Sequence, residues 1–411
     1  MSDSALHGGD PSVLRRLNSV ATLRALRGGG EPTLSELAKQ VGLSRPTTEG
    51  VLGELVERGL VEEVAPRAGA GLGRPARRYR FRAEAGYALG MEIESHRARI
   101  FVADLDGEVV GGHSVDLDVA WEPPERLAAV RAAVKTCLAR AKVDRSDLWA
   151  VAAGTPGVIA PDGTVAICTV VPGWQGLHLA RELGRSFSCP VYVENDANLA
   201  TVAERWRGVA KDVDDVIYVL AQLHTGMGAI IDGRLHRGRW GAAGEVGMLP
   251  ELGLRDTAAV LSGAMSPSPA TPSEVQDEGP GAGVDVGAGE DEESGAGAGE
   301  GRDAGVERVL DAAMRGDPQA VALVERLAAR MARGIAAMAL ALDPEMIVVG
   351  GELTHAGDRL VEELRRHVRP LCLGPTRIEA STLGDEAVGL GAVRLALDHI
   401  DERLFRIDAA Q

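Results

Sequence analysis

Short apolar runs alternate with helix-like segments from residue 83 to near the end of the 411-residue chain. Two of these runs, Leu148–Ala153 and Met346–Val349, lead directly into small-residue turns, Gly154–Gly157 and Gly350–Gly351. Strands that alternate with helices form an α/β sheet, and ligands bind where its strands end. The pattern therefore predicts an α/β body with a ligand site beside such a turn.

The first 82 residues follow a different pattern. Apolar residues recur there at helical spacing in three stretches, Leu14–Leu26, Leu34–Val41 and Val51–Leu60. A T-x-x-E capping box begins at Thr33, and Ser44 stands where the cap of the third helix is expected. Three short helices joined by such turns are typical of a helix-turn-helix domain.

A glycine-rich, Arg-rich segment, 67–82, follows these helices and predicts a hairpin whose tip is a wing. In a winged helix-turn-helix, the N-terminal part of the third helix enters the major groove, and a basic wing contacts the backbone or minor groove. The alternative is a solvated basic linker. The predicted DNA-binding residues are Arg45, Thr47, Thr48, Arg74, Arg77 and Arg78.

Charge is distributed unevenly along the chain. The whole protein has 44 Lys and Arg against 60 Asp and Glu, a net charge of −16, which excludes a nucleic-acid binder that is basic throughout. The head, 1–82, has a net charge of +4 (13 basic, 9 acidic), whereas the rest has −20 (31 basic, 51 acidic). DNA contact is therefore expected only in the head. A Gly/Ala-rich segment, 266–305, carries ten of the acids and predicts a disordered insertion.

Cysteine content and hydropathy bear on the cellular location of the protein and on metal and membrane binding. The four cysteines are widely spaced without a C-x-x-C pair, which predicts neither a disulfide framework nor a Cys-rich metal site. No apolar run has the roughly 18 to 20 residues of a transmembrane helix, and the N-terminus lacks a signal-peptide pattern. We expect a cytoplasmic protein that binds neither membrane nor metal.

Two motifs in the body are specific: V-E-N-D-A-N at 193–198 and G-E-V-G at 244–247. With the surrounding strands and glycine turns, they resemble the ROK family, which contains transcriptional repressors, open reading frames and sugar kinases on the actin-like ATPase fold. The resemblance extends from Leu14 to Leu397, apart from the insertion.

The resemblance implies a winged helix-turn-helix domain, 1–82, followed by a two-lobed ribonuclease H-like α/β domain. Its first lobe is expected at 83–205. The second lobe is expected at 206–411, with a C-terminal helix that returns to the first lobe.

The resemblance also implies a sugar site. Asp196 matches the catalytic base of the family's kinases, Asn195 matches a residue that holds sugar hydroxyls, and Glu245 matches a sugar-binding glutamate. With the glycine turn, the predicted ligand-binding residues are Asn195, Asp196, Glu245 and Gly157. The alternatives are a capping role for Asp196 and a solvated turn position for Glu245. Trp174 is expected to pack over a sugar face or to lie in the core.

Several departures from the kinase pattern predict that the body is catalytically inactive and needs no cofactor. The family's phosphate loop, D-I-G-G-T-K, aligns with Glu92–Arg97, where Glu94 and Ser95 replace glycines. A carboxylate there repels phosphate, and the backbone loses its close approach to the anion. Met248 replaces the motif histidine, the second phosphate loop is shortened, and the family's zinc motif is absent.

The sequence thus favours a DNA-binding transcriptional regulator, expected to be a repressor, that senses a sugar or sugar phosphate in the cleft of an inactive kinase-like domain. Two-fold operator recognition predicts a homodimer or a dimer of dimers on double-stranded operator DNA. One alternative is an active sugar kinase. Another is a regulator whose body serves only as a dimerisation scaffold.

Overall fold

The structure is a computed structural model that describes residues 11–65, 76–222, 225–255, 260–261, 306, 308–356 and 358–405. The predicted insertion, 266–305, and the wing tip with Arg74 lie outside these residues. The chain forms two compact units. The first comprises Met1–Lys211, Arg237–Ala242 and Glu386–Gln411, and the second comprises Asp212–His236 and Ala243–Asp385.

The described residues of the head, 11–65 and 76–82, form three helices and a two-stranded sheet. These elements are α1 (Pro11–Leu26), α2 (Leu34–Val41), α3 (Arg45–Glu57), β1 (Val61–Val64) and β2 (Arg78–Phe81). The helices enclose a small apolar core because Leu23, Leu26, Leu37, Leu52 and Leu55 are each at most 2 % exposed. The strands pair antiparallel, with Val61 opposite Phe81.

Helix capping in the head follows the sequence prediction. The Thr33 hydroxyl accepts from the amide of Glu36, and the Glu36 carboxylate accepts from the amide of Thr33, so the capping box is confirmed. Ser44 caps α3 by accepting from the amide of Thr47 at 3.3 Å. These bonds satisfy amides that have no partner within the helix.

The first unit contains a five-stranded sheet in the order β5-β4-β3-β6-β9. Its strands are β3 (Tyr87–Ile93), β4 (Arg97–Asp104), β5 (Val109–Asp116), β6 (Leu148–Thr155) and β9 (Val191–Asn195). The first three form an antiparallel meander, and β6 and β9 add in parallel. A small hairpin, β7 (Val158–Ile159) and β8 (Val165–Ile167), follows β6.

Four helices accompany this sheet: α4 (Pro123–Ala141), α5 (Leu179–Gly184), α6 (Asp196–Arg207) and, from the C-terminal end of the chain, α9 (Ala387–Leu404). Helix α9 packs against both α6 and β3. Because α6 begins directly after β9, the V-E-N-D-A-N motif occupies a strand-to-helix junction at the carboxyl edge of the sheet.

The second unit repeats the same strand order in a second sheet, β12-β11-β10-β13-β14. Its elements are β10 (Val216–Leu220), β11 (Gly226–Ile231), β12 (Arg234–Leu235), β13 (Met346–Gly350) and β14 (Arg377–Ala380), with helices α7 (Pro318–Leu342) and α8 (Asp358–Val368). Again three antiparallel strands are followed by two parallel ones. The predicted α/β class is confirmed. No helix among the described residues has the length and apolarity required to span a bilayer.

Candidate functional site

The first turn of α3 lies at the surface of the head, where the sequence predicts contact with DNA. Arg45 and Thr47 are both exposed there. The Thr47 hydroxyl lies 2.7 Å from the Ser44 hydroxyl, so the cap also orders this side chain. The arrangement presents a guanidinium and a hydroxyl on the first turn of the helix that enters the major groove in a helix-turn-helix.

Thr48 does not fit the DNA-contact role predicted for it. It is fully buried, and its hydroxyl donates to the carbonyl of Ser44 at 3.0 Å. The helical period explains this burial, because Thr48 lies on the same face as the buried Val51, Leu52 and Leu55. Thr48 is therefore a core residue of the head.

The described wing residues occupy two different environments. Arg77 is exposed, and its Nε lies 3.4 Å from the Glu63 carboxylate. Arg78 is half-buried in β2, and its guanidinium donates to the carbonyl of Glu31. Arg78 therefore connects β2 to the segment before α2, whereas Arg77 keeps its guanidinium at the surface. Arg74 lies outside the described residues.

Asn195 connects the end of β9 to the glycine turn after β6. Its side-chain Oδ1 caps α6 by accepting from the backbone amide of Asn198 at 3.0 Å, and its Nδ2 donates to the backbone carbonyl of Gly157 at 3.1 Å. Gly157 has φ +107°, and a Cβ there would lie 2.2 Å from the carbonyl oxygen of Ile167. Only glycine fits this turn, which brings two of the predicted ligand residues together.

Asp196 is the first residue of α6 and is only 8 % exposed. The cap of α6 is Asn195, so the capping role considered for Asp196 is wrong. Its carboxylate accepts from the amide of Ala197 at 2.8 Å. The partial positive charge of the helix N-terminus favours a negatively charged side chain at this position.

Glu194, the motif residue before this pair, is a buried carboxylate with three donors. Its Oε1 accepts from the amide of Asn195 and from Nδ2 of Asn198, both at 2.9 Å, and its Oε2 accepts from Nε of Arg237. The sequence reasoning missed Arg237. A glutamate buried in a strand needs a positively charged partner, and this requirement could have prompted a search for one.

Trp174 lies in the core. It is fully buried, and its indole N–H donates to the Thr155 hydroxyl at 2.8 Å. Thr155 in turn donates to the carbonyl of Ile93 at 3.0 Å, which connects β6 to β3. Of the two roles considered for Trp174, the structure supports core packing.

The segment Glu92–Arg97, which aligns with the kinase phosphate loop, is a tight hairpin turn between β3 and β4. The amide of Glu94 donates to the carbonyl of Arg97 at 2.9 Å, so this N–H is already satisfied. The guanidinium of Arg126, on α4, donates to the carbonyls of Glu94 and Ser95.

Beneath that turn, Glu92 and Arg99 face each other across β3 and β4 and form a 2.7 Å ion pair. Glu92 is 2 % exposed, and burial, together with the nearby Glu94 carboxylate, raises its pKa well above the usual range. The guanidinium of Arg99 and the carboxyl groups of Glu92 and Glu94 thus lie close together beneath this turn.

Glu245 belongs to the second unit. The preceding Gly244 has φ +90°, and a Cβ there would lie 2.1 Å from the carbonyl of Met227, which places the G-E-V-G segment against β11. Burial raises the pKa of the Glu245 carboxyl. Met248, which stands in place of the motif histidine, is 49 % exposed.

Comparison with known proteins agrees with this architecture. The sequence model of the ROK family matches residues 88–255 and 286–399, and that of the IclR helix-turn-helix domain matches residues 18–65. A xylose repressor of Caldicellulosiruptor bescii is 23 % identical over 404 residues, which cover 95 % of this chain and 97 % of the repressor. A glucokinase of Halalkalibacterium halodurans is 28 % identical over 319 residues, 74 % of this chain and 92 % of the kinase.

Among solved structures, a ROK family transcriptional regulator described as a homologue of the E. coli MLC protein superimposes with a TM-score of 0.66. The two sequences are 21 % identical, and the superposition covers 96 % of this chain and 99 % of the regulator.

A helix-turn-helix head joined to a kinase-like α/β body defines a DNA-binding transcriptional regulator. The chain belongs to the ROK family.

Proposed function

We propose that this protein is a repressor whose body binds a sugar or sugar phosphate and whose head binds double-stranded operator DNA. The observation that carries the effector assignment is the buried pair Asn195 and Asp196 at the start of α6, beside the Gly157 turn. A carboxylate accepts hydrogen bonds from sugar hydroxyls, and an amide both donates and accepts them. The relative named a xylose repressor supports the same assignment.

An effector can release the operator only if it binds the released state more tightly than the DNA-bound state. We assign the DNA contacts to the first turn of α3, with Arg45 and Thr47, and to the basic wing with Arg74 and Arg77. Two-fold operator recognition requires at least a homodimer, or a dimer of dimers.

The body of this regulator is not a kinase in our proposal. The turn that aligns with the phosphate loop has the Glu94 amide bonded to Arg97 and its carbonyls bonded to Arg126. Glu94 also places a carboxylate where the family's loop has a glycine and where a nucleotide would bring further negative charge. Each feature opposes nucleotide binding.

The effector assignment is tested by calorimetric titration of the full chain with a panel of pentoses, hexoses and their phosphates. Operator fragments selected from a random DNA library provide the second measurement. We expect one sugar class to give heat and to weaken operator binding, and Asp196→Asn to abolish the heat. Operator binding without any sugar response would favour the scaffold alternative.

An active sugar kinase is the second candidate because Asp196 occupies the position of the catalytic base and a glucokinase is among the relatives. Coupled-enzyme assays with ATP and each sugar decide between the two. Turnover that Asp196→Asn removes would establish the kinase. Turnover at background level with intact sugar binding supports the inactive body.

A further inference from the structure

Arg237 is connected to the candidate effector-binding residues Asn195 and Asp196 through Glu194. Its Nε lies 2.5 Å from Oε2 of Glu194, whose other oxygen accepts from the Asn195 amide and the Asn198 side chain. Glu194 is 6 % exposed, so Arg237 supplies the positive charge that this buried carboxylate needs. The carboxylate thereby fixes both motif asparagines from one side.

Arg237 belongs to a short segment, 237–242, which we call the linking segment. It packs within the first unit, although the residues on both sides of it along the chain belong to the second. At its other end, Gly241 has φ +77°, and a Cβ there would lie 2.2 Å from the carbonyl oxygen of Ile159. The linking segment is thus held at two points, the Glu194 ion pair and a glycine contact that no larger residue fits.

We propose that Arg237 is a positioning residue of the effector site. It holds the Glu194 carboxylate directed towards Asn195, so that Asn195 and the adjacent Asp196 are held in the geometry that binds sugar hydroxyls. This inference rests on the proposed effector site. Arg237 itself acts through Glu194 and does not touch the effector.

The chemistry of arginine suits this role. Its guanidinium stays charged at any physiological pH and holds a carboxylate in a fixed geometry, whereas a lysine ammonium provides a single mobile charge. A neutral replacement leaves a buried carboxylate that accepts from two amides without a counter-charge. Rotation of the Glu194 side chain towards solvent would relieve that cost and would release the Asn195 amide.

The test compares Arg237→Gln and Arg237→Lys with the matched control Arg239→Gln. Arg239 lies on the same linking segment, is exposed, and stacks over the Trp240 ring at 5.3 Å. We expect Arg237→Gln to raise the effector Kd about tenfold or more, the scale of a lost charged hydrogen bond, and Arg237→Lys to restore part of the affinity. Arg239→Gln should stay within about twofold of wild type. Equal effector affinity in the Arg237 and Arg239 variants overturns the proposal.

A double-variant cycle distinguishes positioning from direct contact. If Arg237 acts through Glu194, then Arg237→Gln has no further effect on effector affinity once Glu194→Gln is present. Additive losses would show that Arg237 contacts the effector directly, which contradicts the proposal.

Amide hydrogen exchange on the effector-free chain provides a readout that needs no sugar. Arg237→Gln should accelerate exchange at the Asn195 amide, whereas Arg239→Gln should not. Unchanged exchange at Asn195 overturns the positioning role. If wild-type protein responds to no sugar, the proposed function fails, and the exchange measurement still decides whether Arg237 orders the motif.

Discussion

Arg27, which follows the last residue of α1, donates to the carboxylate of Asp401 near the end of α9. The two residues are 374 positions apart in the sequence, and their side chains are 18 % and 22 % exposed. Arg27 also donates to the carbonyl of Leu105, and its Nε lies 3.5 Å from Asp106. One guanidinium therefore connects the head to both the β4–β5 turn and the C-terminal helix.

That contact has a continuous physical connection to the candidate effector site. Asp401 also accepts from Arg394 at 3.3 Å on the same helix, and α9 packs against α6, the helix that begins at Asp196. On this basis we expect a change in α6 on effector binding to reach the head through α9 and Arg27.

Removal of this connection should reduce the regulatory response. We expect Arg27→Ala to lower the free energy of unfolding by about 1 to 3 kcal/mol, because it removes a partly buried charged hydrogen bond. The effector Kd should change less than about twofold, while the effector-induced drop in operator affinity shrinks, since coupling needs a shared two-state element.

Arg24→Ala is the matched control for that experiment. Arg24 lies in the last turn of α1, three residues before Arg27, and its guanidinium stacks over the Phe405 ring at 5.0 Å rather than on a carboxylate of Asp401. Operator binding measured with and without saturating effector gives the coupling. A full response in Arg27→Ala would show that the head is regulated by another route.

DNA recognition should depend on Arg45 and be insensitive to the Thr48 hydroxyl. Arg45→Ala should cost about 1 to 3 kcal/mol of operator affinity and relax specificity at one base position, as for a base-contacting arginine. Thr48→Val should lower stability by about 1 kcal/mol, because it removes a buried hydrogen bond, and leave specificity intact. Binding to operator libraries checks both. A uniform loss on all sequences for Arg45→Ala would make it a phosphate contact.

Local features of the fold followed from the sequence. The caps at Thr33 and Ser44 are encoded within three residues of the groups they satisfy, and the motif of Asn195 and Asp196 sits at a strand-to-helix junction. Distant partners could not be inferred in this way. Glu194 and its partner Arg237 are 43 residues apart in the sequence, and no local periodicity identifies this pairing.

The burial of Thr48, which was predicted to contact DNA, could have been predicted from the sequence. Thr48 precedes Val51, Leu52 and Leu55 by three, four and seven residues, which is the spacing of one helix face. The prediction of a DNA contact used only its place in the first turn and ignored that face. The helix face on which a residue lies therefore indicates its burial better than its position in the first turn does.

Stability should depend on pH through Glu92. Its pKa in the folded protein lies well above the ordinary 4.5, because burial and the adjacent Glu94 disfavour the charged form. Above pH 4.5 the folded state therefore binds more protons at this site than the unfolded state. Its contribution to stability is full below that pH and is lost as pH rises through the folded pKa.

Replacement by glutamine separates this effect from other titrations. Glu92→Gln cannot ionise, so the decline in unfolding free energy between pH 5 and pH 8, measured by urea denaturation, should become smaller than in wild type. Arg99→Gln is the informative counterpart, because it removes the partner that opposes the raised pKa and should extend the same decline to higher pH. An unchanged pH dependence in Glu92→Gln would show that Glu92 stays ionised against Arg99 throughout this range.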